Sequence, residues 1–112
     1  MPARVERLCI FSGEAGEQEK VMDFPLWWDR RGFFGKYGDR QIDTGNPFSV
    51  DYEYMLSPEE ALAWDKESRE KYSADPNNLK PHIVSAMQAL YAALKEAQRV
   101  VVESYEWESG LG

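Results

Sequence analysis

The chain holds one cysteine and one histidine, Cys9 and His82, and together they could form a thiolate–imidazole pair. Their settings argue against it. Cys9 lies inside the apolar run Leu8–Phe11, where a thiol is ordinarily buried and inert. His82 follows Pro81 at the start of a helical pattern, where the positive helix end lowers imidazole basicity. No third group stands by to orient the pair. Both residues are expected to be structural.

Metal and phosphate chemistry find no firmer footing. One His and one Cys cannot make a zinc site without carboxylates, and the paired ligand spacings are absent. Asp39, Asp43 and Gly45 resemble part of a calcium loop, but its alternating oxygen ligands and closing glutamate are missing, so a solvated turn is expected. Gly32-Phe33-Phe34-Gly35 lacks the strand–turn–helix setting and the lysine of a phosphate-binding loop. Asp51 and Glu53 stand two residues apart on one strand face, as paired carboxylates do, yet that face reads as wet. No catalytic residue, cofactor or metal is assigned, and the reading leans away from an enzyme.

Binding chemistry concentrates in residues 25–40. There Trp27, Trp28, Phe33, Phe34 and Tyr37 interleave with Arg30, Arg31, Lys36 and Arg40. Aromatic and arginine side chains build the hot spots of protein interfaces, and they also stack single-stranded bases. The plain alternative is that Trp27, Phe33 and Phe34 fill the core beneath a glycine-rich loop. The candidate binding set is Trp27, Trp28, Arg30, Arg31, Phe33, Phe34, Tyr37 and Arg40. A closed, well-formed pocket holding Arg30, Arg31 or a carboxylate pair would favour a small-ligand site. A flat, exposed aromatic patch would mark protein contact.

The elements that must position these residues follow from periodicity. Val5–Phe11 reads as a short strand ended by the turn signal Ser12-Gly13, and residues 13–20 as a surface loop or weak helical turn. Gly32, Gly35 and Gly38 disfavour regular helix, so 25–40 is expected to be a compact loop or irregular hairpin. Gln41–Leu56 reads as a β-hairpin turning at Thr44-Gly45-Asn46-Pro47. Its return strand alternates Phe48, Val50, Tyr52 and Tyr54 with Ser49, Asp51 and Glu53. Ser57-Pro58-Glu59-Glu60 is a capping box opening a helix to about Tyr72, with Ala61, Trp64 and Tyr72 on its apolar side. The pairs Asp65–Arg69 and Glu67–Lys71 support it at i,i+4 spacing.

The dominant stretch is Leu79–Trp107. Ile83, Met87, Leu90, Leu94, Ala97, Val101 and Tyr105 recur every three or four residues, which predicts one long amphipathic helix, about 40 Å at 1.5 Å per residue. Val100-Val101-Val102, Tyr105 and Trp107 favour strand instead, while the polar repeat Arg99, Glu103 and Glu106 keeps helical step. Ala86, Ala89, Ala93 and Ala97 add a stripe of small residues against which another helix can pack.

The totals set the class. A chain of 112 residues with 43% hydrophobic content suits one domain with one modest core. Net charge of −7 excludes duplex DNA, whose affinity comes from Lys and Arg, disfavours anionic membranes, and favours solubility or a basic partner. A lone cysteine, no apolar run of membrane length and no signal-peptide pattern lead to an expectation of a cytoplasmic, soluble protein. The fold class is α+β: a small antiparallel sheet from the N-terminal half, packed on two helices from the C-terminal half, the last one long. Such a rod exposes apolar surface that a homodimer would bury. The function expected first is a non-enzymatic, self-associating protein-interaction module, similar to inhibitor and immunity proteins in size and charge alone. A small-ligand protein or enzyme with an aromatic-lined pocket between sheet and helix is the alternative, and a single-strand nucleic-acid binder the third.

Overall fold

The computed structural model describes residues 3–45 and 52–107. Five antiparallel strands form one sheet: β1 Ala3–Ser12, β2 Gln18–Asp23, β3 Gln41–Asp43, β4 Tyr52–Leu56 and β5 Ala97–Trp107, in spatial order β2-β1-β5-β4-β3. Three helices accompany it: α1 Arg30–Tyr37, α2 Pro58–Tyr72 and α3 Pro81–Lys95. The α+β class stands. The helix count and the source of the sheet are corrected, because a third helix lies in the first half and the central strand comes from the chain's C-terminal end.

The long rod is not formed. α3 stops at Lys95, and the segment after Glu96 becomes β5, paired with β1 on one side and β4 on the other. A spacing of four cannot separate the two outcomes, since it is also even and keeps residues on one face of a strand. The valine triplet tips the balance, because β-branched side chains suit a pleated surface and two neighbouring strands await a partner. Much of the apolar surface on which the homodimer expectation rested is thereby covered within one chain. Ile83, Met87, Leu90 and Leu94 are buried within the monomer, while Ala86 and Ala89 lie exposed and Ala97 belongs to the sheet.

Sheet parity sorts the core. Leu8, Ile10, Tyr54, Leu56, Val100 and Val102 face inward and join Phe33, Ala61, Trp64, Leu90 and Leu94 in one buried cluster. The helices thus cover this inner face. On the outer face stand Val21, Cys9, Val101 and Met55, aligned by the pairings Cys9↔Val21, Cys9↔Val101 and Met55↔Val101.

Local chemistry accounts for the rest. The capping box forms as expected: Ser57 Oγ accepts the Glu60 amide at 3.1 Å and the Glu60 carboxylate accepts the Ser57 amide at 2.9 Å. The hairpin is present as β3 and β4, though Asn46, Pro47, Phe48, Ser49, Val50 and Asp51 lie outside the described residues. Asp43 and Gly45, read above as a solvated turn, form one: Asp43 Oδ1 accepts the Gly45 amide at 2.9 Å. Residues 13–20 split into a 3-10 turn at Glu14–Gly16 and the start of β2. Residues 25–40 are corrected from loop to helix over Arg30–Tyr37. Gly32 and Gly35 each cost about 1 kcal/mol in a helix, but burying Phe33 and Tyr37 one turn apart outweighs that. Among the described residues no helix is long and apolar enough to cross a membrane.

Candidate functional site

The aromatic segment does not form an exposed patch. Trp27, Trp28, Phe33 and Tyr37 are buried, and Phe34 is half-buried against Phe24 and Tyr54. Phe33 sits at the middle, its ring within 5.0–6.5 Å of those of Phe24, Trp28, Phe34, Tyr37, Tyr54 and Trp64. Edge-on and offset contacts of this kind add to the burial of the rings.

The two adjacent indoles are held by a residue that the reading of the sequence placed only in a helical ion pair. Asp65 on α2 has no solvent exposure. Its Oδ1 accepts the indole N–H of both Trp27 and Trp28 at 2.8 Å, and its Oδ2 accepts Arg69 Nε at 2.8 Å. Three donors on one carboxylate satisfy a charge that would otherwise be costly to bury. The clue lay in the spacing 61, 64, 65, 68, 72: Asp65 and Ser68 fall on the apolar stripe of α2, and both are buried.

Beside this anchor opens a cleft of about 380 Å³, lined by Leu26, Trp27, Trp28, Asp29, Trp64, Glu67, Ser68, Lys71, Tyr72 and Asn78. Because Asp65 takes the N–H groups of Trp27 and Trp28, those indoles have only ring carbon left for an occupant. Trp64 differs: its Nε1–H is buried and, among the described residues, has no acceptor. At Gly32 a Cβ would lie 2.6 Å from Asp29 Oδ2, so the glycine leaves room for the Asp29 carboxylate at the start of α1. One cation already lies against one of the indole rings, Lys36 Nζ 5.8 Å from the Trp64 centroid.

The arginines of the segment go elsewhere. Arg30 pairs with the buried Glu6 and lies over Phe34. Both line a smaller pocket of about 210 Å³ with Gln41, Tyr52, Tyr54 and Ser104. Arg40 bridges both oxygens of Glu60, tying the segment after α1 to the α2 cap, and lies over Tyr37. Its guanidinium, with the Ser57 amide, holds the Glu60 carboxyl down at about 2. Arg31 is exposed. The structure therefore splits seven of the eight residues among the cleft, the small pocket, the α2 tie and the core, and leaves Arg31 on the surface.

Cys9 and His82 are not brought together. The Cys9 thiol on the outer face donates to Glu103 Oε1 at 3.2 Å, while His82 lies exposed in the first turn of α3, across the sheet. Burial, then the Glu103 carboxylate, pushes the thiol up to about 12, so it stays protonated and unreactive at neutral pH. Among the described residues no group of three or more His, Cys, Asp and Glu is placed to hold a metal ion. Comparison with protein-family models, with curated proteins and with solved structures found no match, so the functional reading rests on the geometry itself.

Proposed function

We propose that this is a binding protein whose tryptophan cleft takes a small organic cation, an alkylated ammonium group that also carries an acceptor oxygen. The observation that carries the reading is the meeting of Trp27, Trp28, Trp64 and Tyr72 with Asp29 and Glu67 around one cleft. Aromatic rings attract cations through their π faces, and carboxylates at the margin add a Coulomb term. Lys71, which pairs with Glu67 at 3.6 Å on the cleft wall, suits a carboxylate on the same ligand. Because Asp65 fixes two of the indoles beforehand, an occupant need not order them. The carboxylates Asp29 and Glu67 at the cleft and the burial of its indoles support a ligand over a flat aromatic contact.

The test is tryptophan fluorescence during titration with glycine betaine, choline and tetramethylammonium, with uncharged 3,3-dimethylbutanol as control. The expected result is a saturable change for the cations, strongest for glycine betaine, and at least about tenfold weaker binding in Glu67→Gln with its circular dichroism unchanged. Equal binding of 3,3-dimethylbutanol, or no saturation with any cation, would overturn the reading.

A further inference from the structure

The outer face of the sheet supports a separate inference. The helices pack on the inner face, and Cys9 and Val101, although buried, take no part in the core cluster. Three of the exposed large apolar side chains stand on the outer face: Val21 at 47%, Ile42 at 50% and Met55 at 40%. Val21 and Met55 end a row that crosses four strands through Cys9 and Val101. Beside it runs a charged row, Asp23–Arg7–Glu103–Glu53, which ends on Ile42.

That charged row breaks a rule of sheet pairing. Glu53 and Glu103 are directly opposite across β4 and β5, an arrangement that destabilises a sheet. Glu103 is compensated by Arg7 Nε at 2.5 Å and by the Cys9 thiol. Glu53 has no ion-pair partner among the described residues. On the other flank, Glu19 stands opposite Phe11, and the Arg99 guanidinium is stacked on the Phe11 ring at 4.1 Å. Among the described residues the face carries four carboxylates, Glu19, Asp23, Glu53 and Glu103, against two guanidiniums, Arg7 and Arg99.

We infer that this face docks a basic partner protein, whose aliphatic side chains cover the Val21–Met55 row and whose arginine or lysine sits on the Glu53–Glu103 pair. An apolar strip edged by charge is the usual anatomy of a protein contact. The sign of the excess selects the partner. A second copy would set one acidic face on another, and nucleic acid would be repelled, whereas a cationic side chain relieves the repulsion that the monomer retains.

The probe is a synthetic amphipathic peptide alternating leucine with arginine, compared with its leucine–glutamate counterpart, read by backbone amide shifts of the 15N-labelled protein. The arginine peptide should shift the amides of Val21, Ile42, Met55 and Val101. Glu53→Gln should weaken its binding about tenfold without lowering the melting temperature, because it removes a like-charge pair. Three outcomes would overturn the inference. One is an equal response to the glutamate peptide. Another is a set of shifts confined to the helical side. The third is sedimentation of the protein as a dimer that Met55→Arg converts to monomer, which would make a second copy the occupant. None of these bears on ligand binding in the tryptophan cleft.

Discussion

Asp65 and Glu53 are both carboxylates set among aromatic and aliphatic neighbours, and the fold treats them in opposite ways. Asp65 is sealed inside the helical layer with two indoles and an arginine on its oxygens. Glu53 stands on the other side of the sheet, opposite a second glutamate and, among the described residues, without a cation. The first arrangement spends a charge to hold two large rings in place. The second leaves a charge uncompensated where a partner can reach it. Buried polar groups that are fully satisfied specify structure, while those that break a pairing rule at a surface point to function.

The sharpest way to break this comparison is to remove each carboxylate. Asp65→Ala should cost about 3–5 kcal/mol in urea unfolding, because two indole N–H groups and a guanidinium lose their acceptor in a buried place. Asp65→Asn keeps an acceptor oxygen and should cost about 1–2 kcal/mol. Glu53→Ala should stay within about 0.5 kcal/mol of the parent. An Asp65→Ala protein that unfolds like the parent would remove the structural half of the contrast.

Adjacent strands allow the same contrast between aliphatic side chains. Leu8→Ala, on the inner face, should cost about 2–5 kcal/mol, and Val21→Ala, on the outer face, less than about 0.5 kcal/mol. Similar losses at both positions would mean that the outer face is covered within the monomer. At the edge of the helical layer, Ser57→Ala should cost about 1 kcal/mol by opening the capping box, with Ser57→Asp retaining most of it.

Titration separates the faces more gently. The Cys9 thiol is held at about 12 instead of its ordinary 9.0, so the folded chain keeps this proton after the unfolded chain has lost it. Stability from this group is complete below pH 9.0 and declines as pH rises towards 12. A thiol reagent at pH 8 should label the native protein far more slowly than the urea-unfolded one. The smallest effect lies at the acid end. Glu60 is held at about 2 against an ordinary 4.5, chiefly by the Arg40 hydrogen bond, so its contribution is present above 4.5 and lost as pH falls towards 2. Solvent screens this pair, and Glu60→Gln should flatten the acid limb of a pH–stability curve only slightly.

Much of this was legible in the residues themselves. The capping box over Ser57–Glu60, the extent of α2, the two i,i+4 ion pairs and, within the described part of the return strand, the alternation of Tyr52 and Tyr54 with Glu53 are local signals, and each appears in the structure. The helix at Arg30–Tyr37 is hidden because its glycines argue against it locally, while the burial that stabilises it involves Trp64 and Tyr54, distant in sequence. The cleft is partly visible, since Trp27 and Trp28 belong to the candidate binding set and Trp64 to the apolar side of α2. Their convergence around Asp65 is not, because a single aspartate on an apolar stripe reads equally well as a surface ion pair.

What the chain settled alone is therefore short-range: where helices start and which strand residues alternate, together with an acidic net charge of −7. Tertiary structure decided the fate of the segment after Lys95. Its side chains satisfy a helical period and a strand face equally, and only two open strand edges, β1 and β4, could choose between them. The same long-range pairing placed Glu53 opposite Glu103 and set α2 against the Trp27–Trp28 pair. Interaction energies between residues tens of positions apart depend on that register, and no local pattern encodes it.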